Sequence, residues 1–219
     1  MLAELVYADH IALTENTIKE AEDLLNSVDS AAQSIGDFLN AAEPKITLFN
    51  ATSESSVHAL GSSEVEKVED SLYLGGYING SHDMDTRIRK AWGALNTLST
   101  VWFFPIKKET KTRLFEALTE SILLYGCDSW TLRKSLTKNI NGTNTQMLRK
   151  VQNISWKAYV TSKDLYSPLP CPSEIIKRRR LALIGREFRH NEPAGKVLFW
   201  TPEEPRQVGR PNTTLKDGG

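Results

Sequence analysis

The apolar positions of this chain change period several times, and each change predicts an element. Leu2–Val6 and Ile11–Leu13 are short apolar runs around Tyr7-Ala8-Asp9-His10, which predicts a tight hairpin. A long helix follows from near Thr14, a suitable N-cap. Its apolar column is Ile18, Ala21, Leu25, Val28, Ala32, Ile35 and Leu39, with Leu24, Ala31 and Phe38 beside it. That stripe is wider than a coiled-coil seam and predicts a helix lying on a sheet or core. Gly36 and Pro44 punctuate its end, and Lys45–Phe49 reads as a strand. Residues 51–70 are polar and acidic with little period, as in a loop. Leu72–Ile78 is a second strand signal, with glycines that suit a bulge or a close backbone approach.

From Asp83 the period is helical again, with Ile88, Trp92, Leu95 and Leu98 on one face, until Pro105 breaks the chain. Lys107–Tyr125 reads as an amphipathic helix (Leu114, Leu118, Ile122, Tyr125) closed by Gly126. A weaker helical pattern runs over residues 136–151. Pro168, Pro170 and Pro172 mark a linker, after which Ser173 caps a basic helix, SEIIKRRRLALIGREFRH. The tail from Pro202 reads as extended. The expected fold class is α+β, mostly helical.

Composition narrows the function classes. Apolar residues make up 40% and charged residues 25%, which excludes a wholly disordered or collagen-like chain. The formal net charge is zero, yet residues 1–100 hold 6 Lys+Arg against 16 Asp+Glu, and residues 101–219 hold 21 against 11. Such asymmetry is a cue for a polyanion-facing half. Cys127 and Cys171 lie far apart, and His10, His58, His82 and His190 are scattered, so no zinc-finger spacing exists. A reducing, intracellular compartment is the expectation. No apolar run is long enough for a membrane span, and no signal peptide is evident at the N-terminus.

The first candidate chemistry is Asp9, which a hairpin turn can project into a cleft. Nucleotidyl transfer uses such carboxylates to hold Mg²⁺, which selects oxygen ligands. A polar turn is the plain alternative. The second is the basic helix: Lys177, Arg178, Arg179, Arg180, Arg186 and Arg189 cluster there, while Ile175, Ile176, Leu181, Leu183, Ile184 and Phe188 require burial. Phosphate-backbone binding and intramolecular pairing or solubility both account for those charges. Trp92, Trp102, Trp130, Trp156 and Trp200 are either stacking platforms or core, with core favoured for Trp92 and Trp156.

Taken in order, Tyr7-Ala8-Asp9, the long helix, Gly36, Asn40, the Lys45 strand and Tyr73-Leu74-Gly75 resemble the reverse transcriptase of LINE-type (non-LTR) retrotransposons. SILLYGCDSWTL (121–132), ISW (154–156), EIIKRRRLALIG (174–185) and GRPNTT (209–214) look like successive downstream segments of the same endonuclease–reverse transcriptase polyproteins. The resemblance implies a palm remnant over 1–80 and thumb-like helices over 81–126. It also implies a C-terminal helical domain over 127–201 and an extended basic tail over 202–219. It further implies that Tyr73, Leu74, Gly75 and Gly76 form a primer-grip-like strand. Arg87, Arg89, Lys90, Lys107, Lys108, Lys111 and Arg113 would face the phosphates of a template–primer.

The resemblance implies RNA-directed DNA polymerase activity with Mg²⁺, and the departures from it imply an inactive chain. The family's other palm aspartate precedes the segment resembled here. Its second turn aspartate is His10 in this chain, and imidazole is a softer ligand than Mg²⁺ prefers. Its lysine three residues after the Asn40-like position is Glu43, which is ionised at neutral pH and a poor proton donor to a leaving pyrophosphate. Asp9 is then a vestigial metal ligand. A non-enzymatic module that binds nucleic acid or a partner, or a degenerate product with no role, is the competing expectation.

Overall fold

The structure, a computed structural model, describes residues 4–7, 10–37, 39, 44–49, 58–59, 63–155, 157–167 and 169–190. The chain forms two compact units, residues 1–174 and 175–219. Asp9, Glu43, Trp156, Trp200 and the tail segment GRPNTT lie outside the described residues.

The first unit opens with the expected hairpin. Strand β1 (Glu4–Tyr7) pairs antiparallel with β2 (His10–Leu13), and Tyr7 stands opposite His10. Helix α1 spans Ile18–Ser34. Its N-cap is Thr17 rather than Thr14: the Thr17 hydroxyl accepts from the Glu20 N–H at 3.3 Å, and the Glu20 carboxylate accepts from the Thr17 N–H at 3.2 Å. This reciprocal box satisfies two orphan donors at the helix start. Gly36, at φ 82°, follows the last turn.

The broad apolar stripe of α1 predicts a buried face, but no residue of the helix is buried. The surface it meets is small. Ile18 and Leu25 pack on Val65 together with Ile46, and the Glu22 carboxylate accepts from the His58 N–H at 2.7 Å. Around that cluster the strands are only two residues each. β3 (Lys45–Ile46) pairs parallel with β6 (Glu66–Lys67), and β4 (His58–Ala59) pairs antiparallel with β5 (Ser63–Glu64). The strand expected over Lys45–Phe49 therefore ends at Ile46. Residues 63–67 contribute strand where the sequence predicts loop.

Leu72–Ile78 is not one strand but a hairpin. β7 (Leu72–Tyr73) and β8 (Gly76–Tyr77) pair antiparallel around Leu74 at φ 48° and Gly75 at φ 79°. Two residues at positive φ make the two-residue turn whose twist suits a tight hairpin.

The main core is helical. Helix α2 (Gly80–Thr97) contributes Met84, Ala91 and Leu95, and α3 (Ser99–Phe103) contributes Trp102, all buried. The Trp102 indole donates to the Leu95 carbonyl at 2.9 Å. Its own carbonyl accepts from Asn153 Nδ2 at 2.8 Å and from the ammonium of buried Lys111. Pro105 separates α3 from α4 (Lys108–Leu114). A π-helical turn, Phe115–Glu120, follows before α5 (Ser121–Leu123) and a 3-10 turn (Cys127–Ser129). Helix α6 (Lys134–Val151) buries Ile140, Met147, Leu148 and Val151, and α7 (Ser162–Tyr166) buries Leu165.

The π turn corrects the face expected for residues 107–125. Its wider winding shifts the register after Phe115. Phe115, Thr119, Glu120, Leu123 and Leu124 turn inward, while Leu118 and Tyr125 are exposed. Of the tryptophans expected in the core, Trp92 is half-exposed, with the Lys150 ammonium 5.7 Å from its ring centre. Trp102 and Trp130 are the buried ones.

Helix α8 (Pro172–His190) starts on proline, and the Glu174 carboxylate accepts from the Cys171 N–H at 3.2 Å, so Cys171, not Ser173, stands at the capping position. Most of α8 forms the described part of the second unit. There Ile176 and Glu187 are buried, whereas Leu181 and Phe188, expected to be buried, are exposed.

Two glycines of α2 should respond to alanine in opposite directions. A Cβ at Gly80 would stand 3.3 Å from the Trp130 Cα, while one at Gly93 would meet nothing. Gly80→Ala is expected to cost about 1–3 kcal/mol through backbone crowding, and Gly93→Ala to stabilise by about 0.5–1 kcal/mol. Denaturant midpoints of the two variants check both signs.

Candidate functional site

The sequence brings the Tyr73–Gly76 hairpin and the SILLYGCDSWTL segment together through one buried carboxylate. Asp83 lies in the first turn of α2, where the helix dipole favours a negative charge. Only 2% of it is exposed. One oxygen accepts from the Tyr77 N–H at 3.1 Å, and the other from the Trp130 indole N–H at 2.9 Å. The carboxylate also faces the Arg87 Nε at 3.4 Å, one helical turn along. That contact is Coulombic. The guanidinium's hydrogen bond goes instead to the Gly75 carbonyl.

Arg87 also stacks on the Tyr125 ring, 4.3 Å from its centre, and the Tyr125 hydroxyl donates to the Leu74 carbonyl at 2.8 Å. Both carbonyls of the hairpin tip are thus tied to groups from α2 and from the Tyr125 turn. A Cβ at Gly76 or Gly126 would lie 3.8 Å from the Asp83 carboxylate, an ordinary contact. Of the two, Gly126 needs glycine, because its backbone is left-handed at φ 66°.

A second clasp holds the other edge. Asp70 accepts from the Asn79 N–H at 3.0 Å and pairs with His82 Nδ1 at 2.9 Å, and the His82 ring stacks on Tyr77 at 4.1 Å. Asn79 caps α2 through the Ser81 and His82 N–H groups. The hairpin is therefore anchored at both edges, while its tip stays exposed at Leu74 and Gly75. Leu74 holds a positive φ that costs a non-glycine residue roughly 1–2 kcal/mol.

The candidate phosphate-facing cations separate into two groups. Arg87 and Lys111 are buried and bonded within the fold, which removes them from any contact surface. Arg89, Lys90, Lys107, Lys108 and Arg113 are exposed. On α8, Lys177, Arg178, Arg179, Arg186 and Arg189 are exposed and Arg180 is half-buried. Arg186 Nη2 lies 3.5 Å from the buried Glu187, so part of the helix's charge is balanced internally.

At the first hairpin, His10 is exposed on β2, and Asp9 lies outside the described residues. An imidazole offers nitrogen where Mg²⁺ selects oxygen, so His10 does not fit that ion. Among the described residues no group of three or more His, Cys, Asp or Glu gathers.

Sequence reasoning missed a polar node between α6 and α7. The Tyr166 hydroxyl donates to the Asn141 carbonyl at 3.2 Å and meets the Thr145 hydroxyl at 2.9 Å. It borders an open cavity of about 570 Å³. Burial pushes its phenol above the usual value, against hydrogen bonds that lower it. The sequence signal for it is the Thr145 hydroxyl, since Asn141 contributes a backbone carbonyl that any residue would supply.

No family model matches the chain, and no curated protein or solved structure is similar to it. Among the described residues, no helix is long and apolar enough to cross a membrane.

The buried network makes a measurable claim. Asp83→Asn leaves Arg87 without its counter-charge in a buried site and is expected to cost about 3–5 kcal/mol. Trp130→Phe removes only the indole donor and is expected to cost about 1–3 kcal/mol. In a double-mutant cycle the two losses should be strongly non-additive, and additive losses would separate Trp130 from the carboxylate.

Proposed function

We propose that this chain is a fragment of a LINE-type reverse transcriptase that faces nucleic acid but does not polymerise. The observation that carries this reading is the clamped hairpin. The Tyr73–Gly76 segment, which resembles a primer grip, is a tight turn with an exposed, strained tip fixed by buried Arg87 and by the Tyr125 hydroxyl. Strain overdetermined by its surroundings concentrates where a surface meets a ligand. A glycine at position 75 lets another backbone approach the tip closely.

The exposed cations support the same reading. Arg89, Lys90, Lys107, Lys108 and Arg113 flank the thumb-like helices, and Lys177, Arg178, Arg179, Arg186 and Arg189 line α8. Phosphate contacts of this kind position a nucleic acid without reading its sequence. The polymerase step has no support in the residues. His10 replaces the second carboxylate of the turn, and Glu43 replaces the lysine that would protonate the leaving pyrophosphate.

Two experiments test the two halves of the reading. A primer-extension assay with Mg²⁺ or Mn²⁺ should give no product, and templated DNA synthesis would overturn the inactive assignment. Replacing Arg178, Arg179 and Arg180 with Ala should weaken RNA or DNA binding. It should also flatten the salt dependence by about 0.7–0.9 in log–log slope for each phosphate that is no longer neutralised. Unchanged affinity and slope would remove α8 from the interface.

A further inference from the structure

Two of the tryptophans that the sequence offers as stacking platforms, Trp102 and Trp130, are spent on the fold, but a different pair of rings is not. Trp102 and Trp130 are each 1% exposed, whereas Phe103 is 75% and Phe104 59% exposed. Leaving two adjacent phenyl rings in water forgoes about 1.5–3 kcal/mol each of burial. The rings do not stand out because the segment is loose. The Trp102 carbonyl beside them is held by Lys111 and Asn153, and the Phe104 N–H donates to the Val101 carbonyl at 3.2 Å. Pro105 follows and fixes the turn. The result is a rigid ledge of two exposed aromatics.

Charge around the ledge has one dominant sign. Phe103 borders an open cavity of about 460 Å³ that is also lined by Arg149 and Lys150. Arg149 donates to the carbonyls of Ser155, Ala158 and Val160, which fixes the guanidinium in place. Lys150 donates to Asn96 Oδ1 at 2.7 Å. Lys107 and Lys108 follow Pro105 and are exposed, with Glu109 the adjacent acidic residue. Flat apolar rings flanked by fixed cations match a polyanion that carries its own flat rings.

We propose that Phe103 and Phe104 form a stacking platform for unpaired nucleotides, with Lys150, Lys107 and Lys108 meeting the adjoining phosphates. The inference rests on the nucleic-acid reading above and adds to it a site for single strands, separate from the clamped hairpin and from α8. A duplex keeps its bases stacked on one another and has no free face for the ledge, so the platform selects single-stranded segments.

The test uses the full chain with fluorescent oligo-dT and oligo-rU and a blunt duplex of the same length. Phe103→Ala and Phe104→Ala should each weaken single-strand binding about tenfold and leave duplex binding unchanged. Both side chains are exposed, so a circular-dichroism melt should be unaffected. Phe104→Tyr should retain affinity, and Phe104→Leu, which keeps the apolar area but not the ring, should lose it. Single-strand binding that is indifferent to both alanine variants would overturn the ledge while leaving the nucleic-acid reading standing. If the wild-type chain binds no oligonucleotide of any kind, both fail. Retention of an acidic, aromatic peptide by the ledge in that case would give the surface to a protein partner instead.

Discussion

The Asp83 carboxylate is the constraint on which the larger unit depends. Taking a carboxylate out of water costs several kcal/mol unless its lone pairs are filled. Here two separate stretches of chain donate to it, through the Tyr77 N–H and the Trp130 indole, and Arg87 supplies the counter-charge. Each donor must arrive in place for the others to be tolerated. The β7–β8 pair has only two residues per strand, too little ladder to be stable alone. The buried charge therefore fixes the hairpin's position, and through Arg87 and Tyr125 it also fixes the backbone conformation of the tip. A hydrophobic residue at 83 would pack as well but would leave the Tyr77 N–H and the indole N–H without a partner.

The same constraint explains why some charges left the surface. Arg87, Arg89 and Lys90 look alike in sequence, yet only Arg87 falls one helical turn from Asp83 on the inward face of α2. Lys111 is withdrawn by another route, because α3 ends with the Trp102 carbonyl in need of a donor and the ammonium supplies one. The choice at Lys111 is set by where a second element ends, and the apolar period around it does not contain that information.

Legibility in the sequence follows the same division. Helix α2 was readable from its apolar period, α6 from a weaker one, and α8 from the long basic and apolar run that follows the prolines. Gly126 was readable as a terminator because a left-handed residue there needs glycine. The π turn at Phe115–Glu120 was not, since a one-residue change of register leaves the spacing of apolar residues plausible on either side. The two-residue hairpin was hidden by Leu74. Asn or Gly at the first turn position is the usual signal, and a leucine there reads as continued strand. Helix α1 was correctly periodic but wrongly buried, because periodicity states which face is apolar and not how much surface exists to cover it.

These distinctions bear on what the family-like segments mean. In SILLYGCDSWTL, Tyr125 bonds the Leu74 carbonyl, Gly126 supplies a left-handed turn beside Asp83, Cys127 is fully buried, and Trp130 bonds Asp83. Every one of those residues has a packing role that suffices to require it. The segment therefore carries information about the fold and none about phosphoryl chemistry. Tyr73-Leu74-Gly75-Gly76 is different in kind. Gly75 answers to its left-handed turn position, but Leu74 satisfies no packing need that would demand a strained, exposed leucine at the tip. The family-like motif and the strained turn thus fall on the same four residues. Packing within the first unit accounts for the described residues of SILLYGCDSWTL named above, whereas the surface reading proposed for this hairpin rests on the strained, exposed Leu74.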